Sequence, residues 1–383
     1  MKHSYKHIRW WIGGMLLLLL TACGTDGAMA PVPSETATLL DIGVQTSGLS
    51  VLTRAGNIEA IDNENKINSL QIWVFETGTN TLVSYLEPTD YPTTTDKVYQ
   101  TNVTSNYANK NPRPNVDVYV IANATSIGLN LTNNSTRTQL EEAVIGSSYF
   151  CPQKEIQETT GLPMSGVLRN KILKGQTNKP VLRITDYDNM EKVPLTRVVS
   201  KVRFVFCKPS GVDLHIQGIA IDEKMIPTEE YVFLGTDGRM FHVGSSYNTD
   251  AISLLSESIN DVCACSDPSK YFYTSQDAQE YESLIDRGVS GQGANATNTP
   301  ELSPSGPFYF RESDKKVSGT ITYNVGEGTP STVTFSMHSS GDFSRNHSWI
   351  VYAYYEGLSG MQTNVVDVTS WNESDTSHEV YNW

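Results

Sequence analysis

Histidine is scarce in this chain, with seven among 383 residues. His3 and His7 lie at the extreme N-terminus, and His215, His242, His338, His347 and His378 are scattered. There is no H-E-x-x-H pair, no G-x-S-x-G elbow and no P-loop. A Ser-His-Asp set can always be picked from so many serines and aspartates, but geometry defines a triad and spacing does not. Positive charge is short as well: 28 basic residues face 42 acidic ones, for a net charge of −14. That argues against nucleic acid, whose phosphates require basic patches, and suits solubility outside the cell. Only six tryptophans occur. Trp10 and Trp11 sit in the N-terminal apolar run and Trp73 in an apolar strand pattern, which leaves few for an exposed sugar platform. The one long apolar run, residues 10–20, has the length of a signal-peptide core and is too short to span a bilayer comfortably. Sites for a cofactor or metal are not evident. Cys263-Ala264-Cys265 has no histidine nearby and lacks four well-spaced ligands. Asp186 and Asp188, in Thr-Asp-Tyr-Asp-Asn, read as a solvated turn.

The N-terminus carries the most specific signal. Lys2, Lys6 and Arg9 precede the apolar run, and Leu20-Thr21-Ala22-Cys23 follows it. Small residues ahead of a cysteine resemble a bacterial lipobox, where the thiol is acylated (palmitate among the chains) and the peptide is cut before it. Residues 1–22 are then a lipoprotein signal peptide and Cys23 the lipidated first residue. Residues 23–38 form a polar tether, and the chain is anchored to a membrane rather than spanning it. Removing the signal leaves 25 basic and 42 acidic residues, a net charge of −17. Cys151, Cys207, Cys263 and Cys265 remain. An exported chain permits disulfides, and four cysteines allow three pairings between which spacing does not choose.

Length suggests two domains, and period-two patterning dominates. Leu40, Ile42 and Val44 alternate with Asp41, Gly43 and Gln45, which predicts a strand with one buried face. A second short run covers Leu49–Leu52. Residues 69–76 and 82–86 around Thr77-Gly78-Thr79-Asn80 predict a hairpin. Val116–Ala122 is nearly all apolar and reads as a central strand covered on both faces. Further strands are expected at 198–206, 214–221, 231–234, 317–323, 332–337 and 348–355. Helices are expected at Thr138-Gln139-Leu140-Glu141, through a capping box, and at 275–287. Residues 290–306 read as a long loop. The fold class is all-β, two β-sandwich domains with one or two short helices, divided near Pro194 into 39–194 and 195–383.

Five segments in order resemble the Bacteroidales fimbrillin family, the type V pilins. They are Ile67–Phe75, Val118–Ala124, Gly161-Leu162-Pro163-Met164-Ser165-Gly166, Leu195–Val202, and Arg345-Asn346-His347-Ser348-Trp349. The resemblance runs from about Leu39 onward. It implies two transthyretin-like sandwiches, export as a lipoprotein to the outer membrane, proteolysis after an arginine, and polymerisation by strand exchange into a cell-surface fimbrium. Arg54, followed by Ala55, stands where the family's cleavage arginine would be. Cutting there would release a removable strand carrying Leu40, Ile42, Val44, Leu49 and Val51. At roughly 1.5–3 kcal/mol per buried side chain, these five are worth on the order of 10 kcal/mol as an upper bound. The emptied groove would expose unpaired backbone that a strand from another subunit can fill. Such head-to-tail filling does not close, so it builds a filament. The donor is expected in the C-terminal tail, where Val366 and Val368 alternate with Asp367 and Thr369, and where Val380 and Trp383 are apolar. Alternatively, that tail packs on its own second domain. The expected partners are other fimbrial subunits and a host or bacterial surface receptor. The rival readings are a carbohydrate-binding surface lipoprotein and, behind it, a hydrolase.

Overall fold

The computed structural model describes residues 39–46, 64, 66–91, 96–146, 161–175, 180–186, 189–235, 246–264, 303–337, 343–368 and 380–381. Strand-forming alternation carries most of them into sheets. The N-terminal lobe holds β1 (Leu39–Gln45), β2 (Leu70–Glu76), β3 (Leu82–Leu86), β4 (Lys97–Asn102), β5 (Val116–Ala122), β6 (Val144–Ile145), β7 (Met164–Gly175), β8 (Val181–Asp186), β9 (Asn189–Met190), β10 (Lys192–Pro194) and β11 (Thr196–Arg197). All but β6 join one sheet with the path β10-β1-β8-β7-β5-β2-β3.

β7 is the strand that folds this sheet over. Its first part, Met164–Leu168, pairs with β5, and its last part, Ile172–Gly175, pairs with β8. Between them Asn170 takes a φ of 55°, and the β5–β7 register shifts. A left-handed residue at a bulge bends a strand, so both layers close on one core. That core takes Leu40, Ile42 and Val44 from β1, alternate residues of β2 (Leu70, Ile72, Val74) and alternate residues of β5. The opposite faces of β2 and β5 present Trp73, Phe75, Tyr119 and Ile121 to a second cluster with Val199, Phe233 and Tyr309. β5 is buried throughout, and apolar except at Asp117, because both of its faces are covered.

The C-terminal lobe holds β12 (Ser200–Cys207), β13 (Leu214–Ile221), β14 (Glu230–Tyr231), β15 (Ile252–Ser253), β16 (Ser303–Phe310), β17 (Val317–Val325), β18 (Ser331–Met337), β19 (Ser348–Tyr355), β20 (Met361–Val368) and β21 (Val380–Tyr381). A five-stranded sheet β16-β12-β19-β20-β21 packs on a four-stranded sheet β15-β13-β17-β18. Phe204, Phe206, Ile219, Ile321, Phe335 and Trp349 fill the space between them, and Phe204 meets Phe308 and Phe335 edge-on. β14 pairs with β6 across the lobes.

The fold is all-β, as expected, and β2 and β3 form the expected hairpin. Three expectations change. The capping box is Thr136 with Gln139, which opens a helix at Arg137–Glu141 two residues earlier than expected. A second short helix spans Ser105–Ala108. The expected strand at 231–234 is reduced to Glu230–Tyr231, and residues 303–306 of the expected loop begin β16. The expected helix at 275–287 lies outside the described residues.

Candidate functional site

β1 is an interior strand. β4 runs antiparallel along one edge, from Leu39 opposite Asn102 to Val44 opposite Lys97. Two parallel strands share the other edge, β8 beside Leu39–Asp41 and β10 beside Gly43–Gln45. Leu195 N donates to Gln45 O at 3.0 Å, beyond β10. Leu40, Ile42 and Val44 are fully buried, as the alternation predicted.

The other face of β1 is covered as well, which the one-sided pattern did not anticipate. Asp41 is only 6% exposed. Its Oδ2 lies 3.0 Å from Arg183 Nε, and its Oδ1 accepts a hydrogen bond from Gln100 Nε2 at 2.9 Å. Gly43 passes so close to β10 that a Cβ on it would stand 2.7 Å from Lys192 Cγ. Lys192 Nζ in turn reaches Asp96 Oδ2 at 2.8 Å, and Asp96 Oδ1 accepts from Thr46 N at 3.0 Å. The slot is therefore apolar on its inner face and specifically polar on its outer one.

The remaining candidate residues fall as follows. Cys23, Leu49, Val51, Arg54, Ala55, Cys151, Cys265 and Trp383 lie outside the described residues. Val366 and Val368 stand in β20, opposite Ile350 and Ser348 of β19, and Val380 of β21 pairs with Val366. In the structure these parts of the tail thus add to the C-terminal sheet. Cys207 ends β12, and the next residue, Lys208, donates its N–H to Cys263 O at 3.1 Å.

A second polar assembly, not foreseen from the sequence, lies between the lobes. Glu64 is fully buried. Lys201 Nζ sits 3.0 and 3.2 Å from its two oxygens, and Tyr309 Oη donates to it at 2.8 Å. Burial pushes its carboxyl up, but Lys201, Arg197 and Arg203 together outweigh burial and hold it below the usual carboxylate range. Nearby, Arg345 Nη2 lies 2.8 Å from Glu230 Oε1 and 2.6 Å from Glu312 Oε1. The same guanidinium donates to Tyr231 O and Val232 O. Burial, helped by the neighbouring Glu312 and opposed by Arg345, raises the Glu230 carboxyl well above its ordinary value.

The five segments singled out in the sequence converge on this region. Asn123, at a φ of 58°, accepts from Asn68 N at 2.8 Å and donates to Lys66 O and Leu162 O at 2.8 and 2.7 Å. Arg197 Nη1 donates to Asn346 Oδ1 at 3.0 Å, and Asn346 N donates to Val199 O at 2.9 Å. Asn123 thus ties the first three segments together within the N-terminal lobe, and Arg197 and Asn346 tie the last two to each other.

Residues 50–201 match the family model described as the major fimbrial subunit protein, FimA. The chain carries a FimA-family fimbrillin segment. A crystal structure described as a candidate cell adhesion protein from Parabacteroides distasonis shares the fold. It is 18% identical, with 90% of this chain and 99% of that one covered and a TM-score of 0.52. A fimbrillin from Porphyromonas gingivalis W83 aligns at 12% identity over 85% of this chain and 91% of its own, with a TM-score of 0.46. The tip fimbrial protein Mfa3 of Porphyromonas gingivalis aligns at 14% identity over 86% and 99%, with a TM-score of 0.41. No curated protein matches the sequence. Among the described residues of this chain, both tryptophans, Trp73 and Trp349, are buried. Trp73 spends its indole N–H on Thr132 O at 2.9 Å.

Proposed function

We propose that the chain is a structural and adhesive subunit of a cell-surface fimbria, assembled by proteolysis after Arg54 and strand exchange at β1. One observation carries this reading. The first described strand of the chain is an interior strand of its sheet, and the segment joining it to the rest of the lobe contains Arg54. Loss of Leu40, Ile42 and Val44 alone would expose a groove worth roughly 5–9 kcal/mol as an upper bound. That is comparable to the whole stability of a domain, so an emptied groove demands a replacement strand.

On this reading the chain has two domains, 39–194 and 195–383. The lipid on Cys23 tethers the precursor to the outer membrane. The mature subunit starts at Ala55 and holds 329 residues with 24 basic and 39 acidic side chains, a net charge of −15. The lipid departs with the released segment, so attachment passes to a partner subunit. The donor is the C-terminal tail of a neighbour, and a terminal segment leaves its own fold more readily than an internal one. The chain performs no catalysis in this role.

Limited trypsin treatment of the soluble precursor tests the proposal, alongside an Arg54→Ala chain and one truncated after Trp371. Polymers are expected only with cutting at Arg54 and an intact tail. Equal polymerisation by either altered chain rules the mechanism out.

A further inference from the structure

The outer face of β1 points to a specificity device, and the inference rests on the strand-exchange reading above. A groove that needed only grease would accept any alternating apolar strand. This one holds Asp41 between two fully buried residues, with one carboxylate oxygen against the Arg183 guanidinium and the other against the Gln100 amide. Arg183 comes from β8 and Gln100 from β4, the two strands that flank the slot on opposite edges. Removal of β1 leaves a positive charge and an amide donor on the two rims, facing a single register position.

We infer that Arg183 and Gln100 read an acidic residue of the incoming strand, and so select partners of the form apolar–Asp/Glu–apolar and fix their register. A strand shifted by one residue would place an apolar side chain against Arg183 and its carboxylate in the core, where an unpaired charge is prohibitively costly. A shift by two keeps the faces correct but moves the acid away from its partners. The tail contains the same frame once, Val366-Asp367-Val368, with Thr369 where β1 has Gly43. The carboxylate is therefore the feature that the two segments share.

Competition by synthetic peptides tests this. The soluble full-length chain is cut after Arg54 in the presence of excess labelled octapeptide with the sequence of residues 39–46. Label retained after gel filtration, and its release rate, are then measured. The peptide carrying Asp41→Asn should be released about tenfold faster than the native sequence, and the one carrying Asp41→Lys faster still. On an Arg183→Glu chain the ranking should reverse, with the lysine peptide held better than the native one. Equal release of all three peptides from the unaltered chain overturns the carboxylate readout while leaving strand exchange standing. Failure of every peptide to be retained, with β1 remaining bound, overturns both. The comparison on the unaltered chain needs no substitution in the protein, so it survives if Arg183→Glu does not fold.

Discussion

Two buried carboxylates in the lobe junction sit in opposite electrostatic circumstances, and single substitutions tell them apart. Glu64 is held below its ordinary value of 4.5 by Lys201, Arg197 and Arg203 despite burial. Its contribution to stability is fully present above that value and is lost as the pH falls through its lowered folded-state pKa. Glu230 is raised by burial beside Glu312. Its contribution is present below 4.5 and is lost as the pH rises toward its raised folded-state pKa. Urea unfolding from about pH 2 to about pH 8 should therefore show the cost of Glu64→Gln shrinking toward acid below 4.5. The Glu230→Gln chain should gain on the unaltered one toward neutral pH. Lys201→Met removes the cation nearest Glu64 and strands a buried charge, and should cost about 3 kcal/mol at pH 7. Parallel pH profiles for the two glutamine variants would contradict the assignment.

At the scale of elements, the close meeting of β7 with the strand leading out of the lobe depends on Gly166. A Cβ there would stand 2.2 Å from Pro194 O and 2.8 Å from Val193 Cγ1. Gly166→Ala should destabilise the chain by about 2 kcal/mol or more, read from the urea midpoint, whereas Gly78→Ala, with open space around the position, costs only the strain of its positive φ. Strands whose alternation is simple were legible in the sequence: β2, β5, β12 and β19 match their expected spans to within two residues. β4 was not, because only Tyr99 of its six residues is buried. β7 was missed because it turns from one layer of the folded sheet to the other at Asn170, which breaks any single periodicity. β16 was hidden by the Gly- and Pro-rich composition at its start. Both Thr136-x-x-Gln139 and Thr138-x-x-Glu141 fit the capping-box pattern. The fold chooses the first, with Thr138 N engaged by Asn80 Oδ1 at 3.2 Å. In the candidate slot the apolar residues could be read from the sequence, but the roles of Asp41 and Gly43 could not. Their partners lie on strands that approach only in the folded chain, 59 residues away for Gln100 and 142 for Arg183.

For the whole molecule, the proposed attachment rests on chemistry at Cys23. Mass spectrometry of the N-terminal peptide from native membranes should find that residue as the first of the chain and acylated. An unmodified Cys23, or cleavage at another bond, would remove the lipid anchor from this account. The Glu64 cluster would have a mechanical consequence in the proposed filament. Ten residues past the proposed cut, the chain is clamped by Lys201 and Tyr309 of the other lobe, and Arg345 ties β14 to the same junction. A strand lying in the β1 slot is gripped along its length by the β4 ladder, so tension along the fibre loads those hydrogen bonds in shear, together rather than one by one. In such a filament the pull would cross from lobe to lobe through the buried Glu64–Lys201 pair, which solvent screens little. On the strand-exchange proposal, a subunit built this way would pass tension from one lobe to the other through that buried pair.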